Sequence, residues 1–363
     1  MLRRSLFPLI AAMPFSMNEE VRAALAGRRL GMVIHSFSSR WRGRYSSVKF
    51  PPFRDVLDAM DYLRGVGVHS LQIGVDGWDM ELASRARATS ESYDMRLEGI
   101  VSLPQGQGDA ERFTRELRMG KEAGMTLFRV AAGGRRYESF TSHADFEVWK
   151  ATAQRSLEFA ETLAAKVRVK LAVENHKDFE TDELVELMRE LSSPLIGVCL
   201  DTGNSLALLE DPLAVVQKLA PYALTVHLKD IAVRDAEDGF HMAEVPLGMG
   251  MLDLTEMIRT ISSKAPRAEF YLEMITRDAL LIPCLRDDYW ATFPQKSGRD
   301  LVRTLAMVSA RAAISPLPKV SDLSMEAMLA LEERHVLGSF LVAGEKLGFS
   351  QLQMKAVQEH GEK

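Results

Sequence analysis

The sequence predicts an α/β protein built as a parallel (βα)8 barrel, and three observations carry that expectation. Eight short apolar runs between residues 30 and 275 alternate with helical sequence, the pattern of parallel strands joined by crossover helices. The chain has 363 residues, more than the roughly 250 such a barrel needs. The last four runs each end in a carboxylate or an imidazole, at the strand tips where barrel enzymes keep their chemistry. The rival, an open doubly wound sheet, calls for a glycine-rich phosphate loop after the first strand, and SFSSRW at 36–41 is not one.

The elements follow in order. LGMVIHSF (30–37) reads as the first strand, with His35 near its C-terminal end. Val56, Leu57, Met60 and Leu63 share one helical face, and Gly65 and Gly67 stop that helix. HSLQIGV (69–75) is the second strand, and a polar helix covers about 78–93. The third strand, RLEGIVSLP (96–104), is closed by Pro104 and followed by a helix ending at Gly124. TLFRVAAGG (126–134) is the fourth and contains Arg129. Phe146, Trp149, Ala153, Leu157, Ala160 and Ala164 then step by three or four, as on a long amphipathic helix.

Strand five ends at Glu174, and Thr181 is the expected N-cap of the helix after it. LIGVCLDTGN (195–204) carries Asp201, YALTVHLKD (222–230) carries His227, and EFYLEMI (269–275) carries Glu273. A helix over Pro212–Leu219 separates the first pair. A long loop containing His241, then a helix near Leu254–Ile261, separates His227 from Glu273. Residues 1–29 are expected as a lead-in, 30–314 as the barrel and 315–363 as a C-terminal helical extension, polar in character and assigned to packing or homo-oligomer contact.

Composition narrows the function classes. With 47% hydrophobic and 26% charged residues the chain reads as soluble and globular. A net charge of -5 argues against nucleic acid as partner. No apolar stretch reaches the roughly 20 residues of a membrane span. Arg3-Arg4 before a short apolar run resembles a twin-arginine export signal, but Pro8 and Pro14 interrupt it, so a cytoplasmic location is the expectation. Cys199 and Cys284 form no zinc-type pair, and Cys199 inside an apolar strand reads as a small core residue.

One carboxylate ending a strand is usually a helix cap or half of an ion pair; three of them and a histidine on four consecutive strands form a pattern. Packed together without a cation, Glu174, Asp201 and Glu273 would repel one another and lose solvation, so a metal ion is expected among them and His227. Three carboxylates and one imidazole make a hard, oxygen-rich set that suits Mn²⁺ or Mg²⁺ best, with Co²⁺ and Zn²⁺ compatible. Candidate substrate contacts are His176 and Lys229, each two residues past a ligand candidate, together with Arg129, His35 and Asn204. Trp41 and Trp290 are candidate pocket walls, and Asp230 is expected to orient a neighbour.

AVENH, CLDTGN, TVHLKD and YLEMI, in this order and at these intervals, resemble the sugar phosphate isomerase/epimerase group of xylose-isomerase-like TIM barrels. That resemblance implies a divalent metal on Glu174, Asp201, His227 and Glu273, with Glu174 and Glu273 exchanging the proton beside the carbonyl of a sugar or keto-sugar. The chain departs from the group at three places. Asn204 stands where a histidine is common, Gln72 near a strand-two glutamate, and Gly248-Met249-Gly250 where the turn after strand seven usually carries a charged residue. A lyase or decarboxylase acting on a keto-sugar or keto-sugar acid would use the same ion with different proton traffic. Two further classes use a barrel of this kind. A trinuclear-zinc DNA repair enzyme needs further histidine and carboxylate ligands on strands two, three and six, where this chain has Gln72, Ser102 and Asn204, and a non-catalytic sugar-binding barrel would keep affinity without turnover.

Overall fold

The computed structural model describes Leu25 and residues 27–350. The expected lead-in helix, the export-like segment and the end of the C-terminal tail lie outside those residues. Eight parallel strands close into a barrel in the order β1-β10-β7-β6-β5-β4-β3-β2. They are β1 (Gly31–Val33), β2 (Ser70–Gly74), β3 (Arg96–Ile100), β4 (Leu127–Val130), β5 (Lys170–Glu174), β6 (Ile196–Asp201), β7 (Ala223–Leu228) and β10 (Glu269–Leu272). Their residues are buried nearly throughout, because helices cover the outer face and side chains fill the inner one.

The crossover helices are α1 (Val56–Gly65), α2 (Met80–Tyr93), α3 (Ala110–Glu122), α4 (His143–Val167), α5 (Thr181–Leu191), α6 (Pro212–Leu219) and α7 (Leu254–Lys264). Most begin where the sequence offers an oxygen to their orphan N–H groups. Asp55, Asp79, Ser142, Asp211 and Asp253 each accept from a backbone N–H in the first turn. The expected N-cap at Thr181 is corrected by one residue. Glu180 holds that place, and Glu183 accepts its N–H at 2.8 Å, so Thr181 is the first helical residue.

Three further expectations change. The first strand stops at Val33, and Ile34–Phe37 turns as a 3-10 helix, placing His35 just past the strand end. The stretch after β7 is not a loop: β8 (Asp230–Ala236) and β9 (Gly239–Val245) form an antiparallel hairpin, joined at its edge by β11 (Leu280–Ile282). His241 therefore pairs with Arg234 inside a sheet. Beyond α8 (Gly298–Ala310), the tail forms α9 (Met325–Glu345), capped by Ser324. Expected to be polar, α9 is in fact mostly apolar, and it buries Leu329, Val336, Phe340, Val342 and Ala343. It is also tied to the turn after β1, where Ser39 N–H donates to Glu332 and Arg40 pairs with Glu333 at 3.2 Å.

Asp230, at the base of the hairpin, sets the loop that follows it. Its carboxylate accepts N–H bonds from Ile231, Gly248, Gly250 and Leu252 at 2.9–3.2 Å. Gly248 sits at φ +78°, and a Cβ on Gly250 would lie 2.1 Å from Asp230 Oδ1, so this turn admits glycine at both places. No described helix is long and apolar enough to cross a membrane.

Candidate functional site

Four neighbouring strands, β5, β6, β7 and β10, bring Glu174, Asp201, His227 and Glu273 to one end of the barrel. Glu174 and Asp201 are the last residues of their strands, and Asp201 stands in register with His227. Glu273 follows β10 directly, its N–H bonded to Leu228 O at 3.1 Å. One candidate ligand atom from each of the four lies within 4.8 Å of the others, and all four residues are buried. This group could hold a metal ion.

The histidine supplies the best test of that fit. Gln72 Nε2 donates to Glu98 at 3.1 Å, which turns Gln72 Oε1 toward His227 Nε2 at 2.7 Å. With Nε2–H committed to Gln72, Nδ1 is the nitrogen that carries the lone pair whenever the ring is neutral. That lone pair faces Glu273 Oε2 at 3.5 Å and Glu174 Oε2 at 3.7 Å, and Nδ1 has no hydrogen-bond partner; nor has Asp201 Oδ2. Arg129 and Lys229 already pair with these carboxylates, but a lone pair on Nδ1 facing two carboxylate oxygens in a buried place still calls for positive charge between them. Either a proton on Nδ1 or a metal ion meets that demand, so the donor set fits a divalent ion. Burial opposes a charged His227, but Cys199, Glu273 and Glu174 outweigh it and raise its pKa well above the ordinary value. Cys199 also borders Glu174 and His227, yet burial pushes its thiol up to about 11, leaving a neutral, weak ligand.

Two cations pair with these carboxylates, on the same Glu174 and Glu273 oxygens that face His227. Arg129 Nε lies 2.5 Å from Glu174 Oε2, and Asn204 Nδ2 donates to Glu174 Oε1 at 3.0 Å. Burial would raise the Glu174 pKa, but Arg129 and then His227 overcome it and hold the carboxyl far below its usual range. Lys229 Nζ sits 2.7 Å from Glu273 Oε2 and 2.9 Å from Asp201 Oδ2, the second contact an ion pair without hydrogen-bond geometry. Glu273 is likewise lowered: burial opposes, and Lys229 and His227 prevail. Asp201 Oδ1 accepts from the N–H groups of Gly203 and Asn204 at 2.8 Å, and Asn175 brackets its backbone at 2.7 and 2.9 Å.

The other sequence candidates divide. His35 Nδ1 lies 3.5 Å from Glu273 Oε1 and also lines a cavity of about 460 Å3 with Trp41, Asp76, Ser102 and Gln105 at the mouth of β1–β3. His176 bonds Gly133 O through Nδ1 at 3.1 Å, and burial lowers its pKa to about 4, so it is neutral. Trp290 donates to Cys284 O at 3.0 Å and packs on Tyr289 within its own loop. Sequence reasoning missed Lys177, Glu244 and Arg277. Glu244 lies 3.9 Å from Lys229 Nζ and 2.6 Å from Arg277 Nη2. Its signal was the Asp238-Gly239 pair between two strand-like runs, which marks a hairpin. Lys177, three residues past Glu174, had no periodic signal.

Comparisons with known proteins agree with this architecture. A family model described as the xylose isomerase-like TIM barrel matches residues 104–292. A 3-oxo-isoapionate decarboxylase of Pectobacterium atrosepticum is 33% identical over 95 residues, 26% of this chain, and the match spans 34% of that protein's length. Among solved structures, a D-psicose 3-epimerase determined in the presence of D-fructose superposes with a TM-score of 0.55 at 11% identity, covering 88% of this chain and 99% of its own. A magnesium-bound xylose isomerase-like barrel from Mycobacterium smegmatis gives 0.53 at 15%, covering 77% and 98%. A probable 3-DHS dehydratase from Bacillus anthracis gives 0.54 at 15%, covering 74% and 100%. At such identities the structural likenesses speak to the fold alone. With just over half its length matched by the family model and its barrel closed in the same manner, the chain belongs to the xylose isomerase-like TIM barrel family.

Proposed function

We propose that the chain is a divalent-metal-dependent enzyme that acts on a small polyhydroxylated keto acid and releases its carboxylate as CO2. Glu174, Asp201, His227 and Glu273 would hold the ion, with Mn²⁺ or Mg²⁺ suiting their oxygen-rich set. When bound, the ion supplies a Lewis acid for negative charge developing on a substrate oxygen. The bond between the carboxylate carbon and its neighbour breaks, releasing CO2; its electron pair delocalises onto the adjacent carbonyl oxygen as an enolate, and a proton from solvent water then adds to the vacated carbon.

The observation that carries this reading is the clamping of both glutamates by cations. An isomerase or epimerase working through Glu174 and Glu273 needs carboxylates free to take up and release the substrate proton. Here Arg129 and Asn204 occupy Glu174 while Lys229 occupies Glu273, so the oxygens of each are already engaged. Decarboxylation asks neither glutamate to take up a proton. The partial likeness to a decarboxylase supports the same reaction class.

The test is a panel of 3-oxo sugar acids and neutral keto-sugars incubated with the Mn²⁺-loaded protein in deuterated water. CO2 release from a 3-oxo acid, with deuterium at the vacated carbon, is expected, and it should vanish on chelation and in Glu174→Gln. Carbon-bound exchange on neutral keto-sugars without CO2 from any acid would return the site to isomerase or epimerase chemistry. Ligand affinity with neither reaction would make it a binding barrel.

A further inference from the structure

Lys177 is 3% exposed, yet its ammonium meets no carboxylate among the described residues. It lies in the turn between β5 and α5, where Arg136 N–H donates to its carbonyl at 2.8 Å and fixes the backbone. The Nζ hydrogen-bonds Asn204 Oδ1, a neutral amide oxygen, which Lys229 Nζ also approaches to 3.5 Å. Two buried ammonium groups thus converge on one uncharged acceptor. Lys229 is compensated by Asp201 and Glu273, whereas Lys177 is not. The nearby carboxylate of Asp178 is turned away, accepting the N–H groups of Gly133 and Phe179 at 2.6 and 2.8 Å. Burial pushes the Lys177 ammonium down to about 8, and Lys229 adds to that effect.

A buried ammonium with one neutral acceptor and two unused N–H donors is costly unless a ligand completes it. Asn204 joins it directly to the candidate metal group through its bond to Glu174. The local charges sharpen the requirement. Arg129 pairs with Glu174, Lys229 with Asp201 and Glu273, and Arg277 with Glu244, which leaves Lys177 without an ion-pair partner among the described residues. A divalent cation among the carboxylates therefore leaves this nest positive, in a place where water cannot screen it.

We propose that Lys177 is a substrate-binding residue that receives the carboxylate of a polyhydroxylated acid beside the four-ligand group. The proposal rests on the functional reading above for the class of substrate and adds the residue that selects it. It also explains why Asn204 stands in the third position after Asp201. Its amide oxygen holds the lysine while its amide nitrogen holds Glu174, a division of labour that an amide performs without changing charge.

Two measurements test it. In calorimetric titrations of the Mn²⁺-loaded protein with threonate and with threitol, Lys177→Met should weaken threonate binding at least tenfold and leave threitol unchanged, with Lys177→Arg recovering part of the loss. In thermal melts without ligand, Lys177→Met should unfold at a higher temperature than the parent, because it removes a buried uncompensated charge. Equal losses for the two ligands, an unaltered threonate affinity, failure of the parent to bind threonate, or a lower melting temperature of Lys177→Met would each overturn the proposal. Lysine-dependent threonate binding without CO2 release would refute decarboxylation and leave this assignment standing; CO2 release with unaltered threonate binding in Lys177→Met would do the reverse.

Discussion

At His227 one ring nitrogen faces Gln72 and the other faces two glutamates, so a neutral amide on β2 selects the tautomer presented to the site. The amide is itself oriented by Glu98, which also accepts from the Thr225 hydroxyl at 2.9 Å. Partners of this kind set both the direction and the basicity of a metal-binding imidazole. Gln72→Met should therefore lower affinity for Mn²⁺ by about 10–100-fold while the barrel stays folded. Titration of the apo-protein with Mn²⁺ measures this, and an unchanged affinity would show that the tautomer is held by other means. In the sequence Gln72 was visible only as a departure from a resemblance. Its role depends on β2 and β7 facing one another across the barrel, which no local pattern expresses. The four ligand candidates were legible because each ends an apolar strand; Lys177 was not, because it lies in a turn where a lysine is unremarkable.

Among the elements, the β8–β9 hairpin contributes most that was unforeseen. It carries Glu244 into the site and holds Asp230 where four backbone N–H groups converge. Truncating Asp230 to alanine would leave those donors buried without their acceptor. Unsatisfied buried donors cost about 1–3 kcal/mol each before relaxation. Asp230→Ala is thus expected to lose about 3 kcal/mol or more of stability in urea unfolding, against about half that for Asp230→Asn, which keeps one acceptor oxygen. A loss under 1 kcal/mol in Asp230→Ala would mean the loop finds other acceptors. The hairpin was read as a loop because polar and charged residues interrupt its apolar pattern. Pairing with β11, some 40 residues later, stabilises it, and a contact at that separation has no local signature.

Across the whole molecule, several buried acids outside the candidate ligand set shape the response to pH, Glu98 and Glu210 among them. Glu98 sits inside the barrel and Glu210 beneath the start of α5, where it accepts the Thr181 N–H at 3.0 Å. Burial pushes each carboxyl up to about 7. Because the folded state holds these protons more tightly than the unfolded one, their contribution is complete below about pH 4.5 and is lost as pH rises through about 7. The unfolding free energy should fall by about 1 kcal/mol per group between pH 6 and 8. In Glu210→Gln the fall should be smaller by that amount. A pH-independent difference between variant and parent, followed by chemical denaturation, would refute the assignment.

The sequence by itself determined the eight-stranded parallel barrel and the four strand ends that bear Glu174, Asp201, His227 and Glu273, because strand burial, helix periodicity and capping are local and repeat along the chain. Which charges those four would face was decided only by tertiary structure. Arg129 comes from the neighbouring strand, Lys229 reaches across to two carboxylates, and Lys177 reaches Asn204 from a turn. Such contacts depend on barrel closure, which sets side chains from separate strands within a few ångströms regardless of their distance along the chain. Burial then converts that proximity into strong electrostatic coupling.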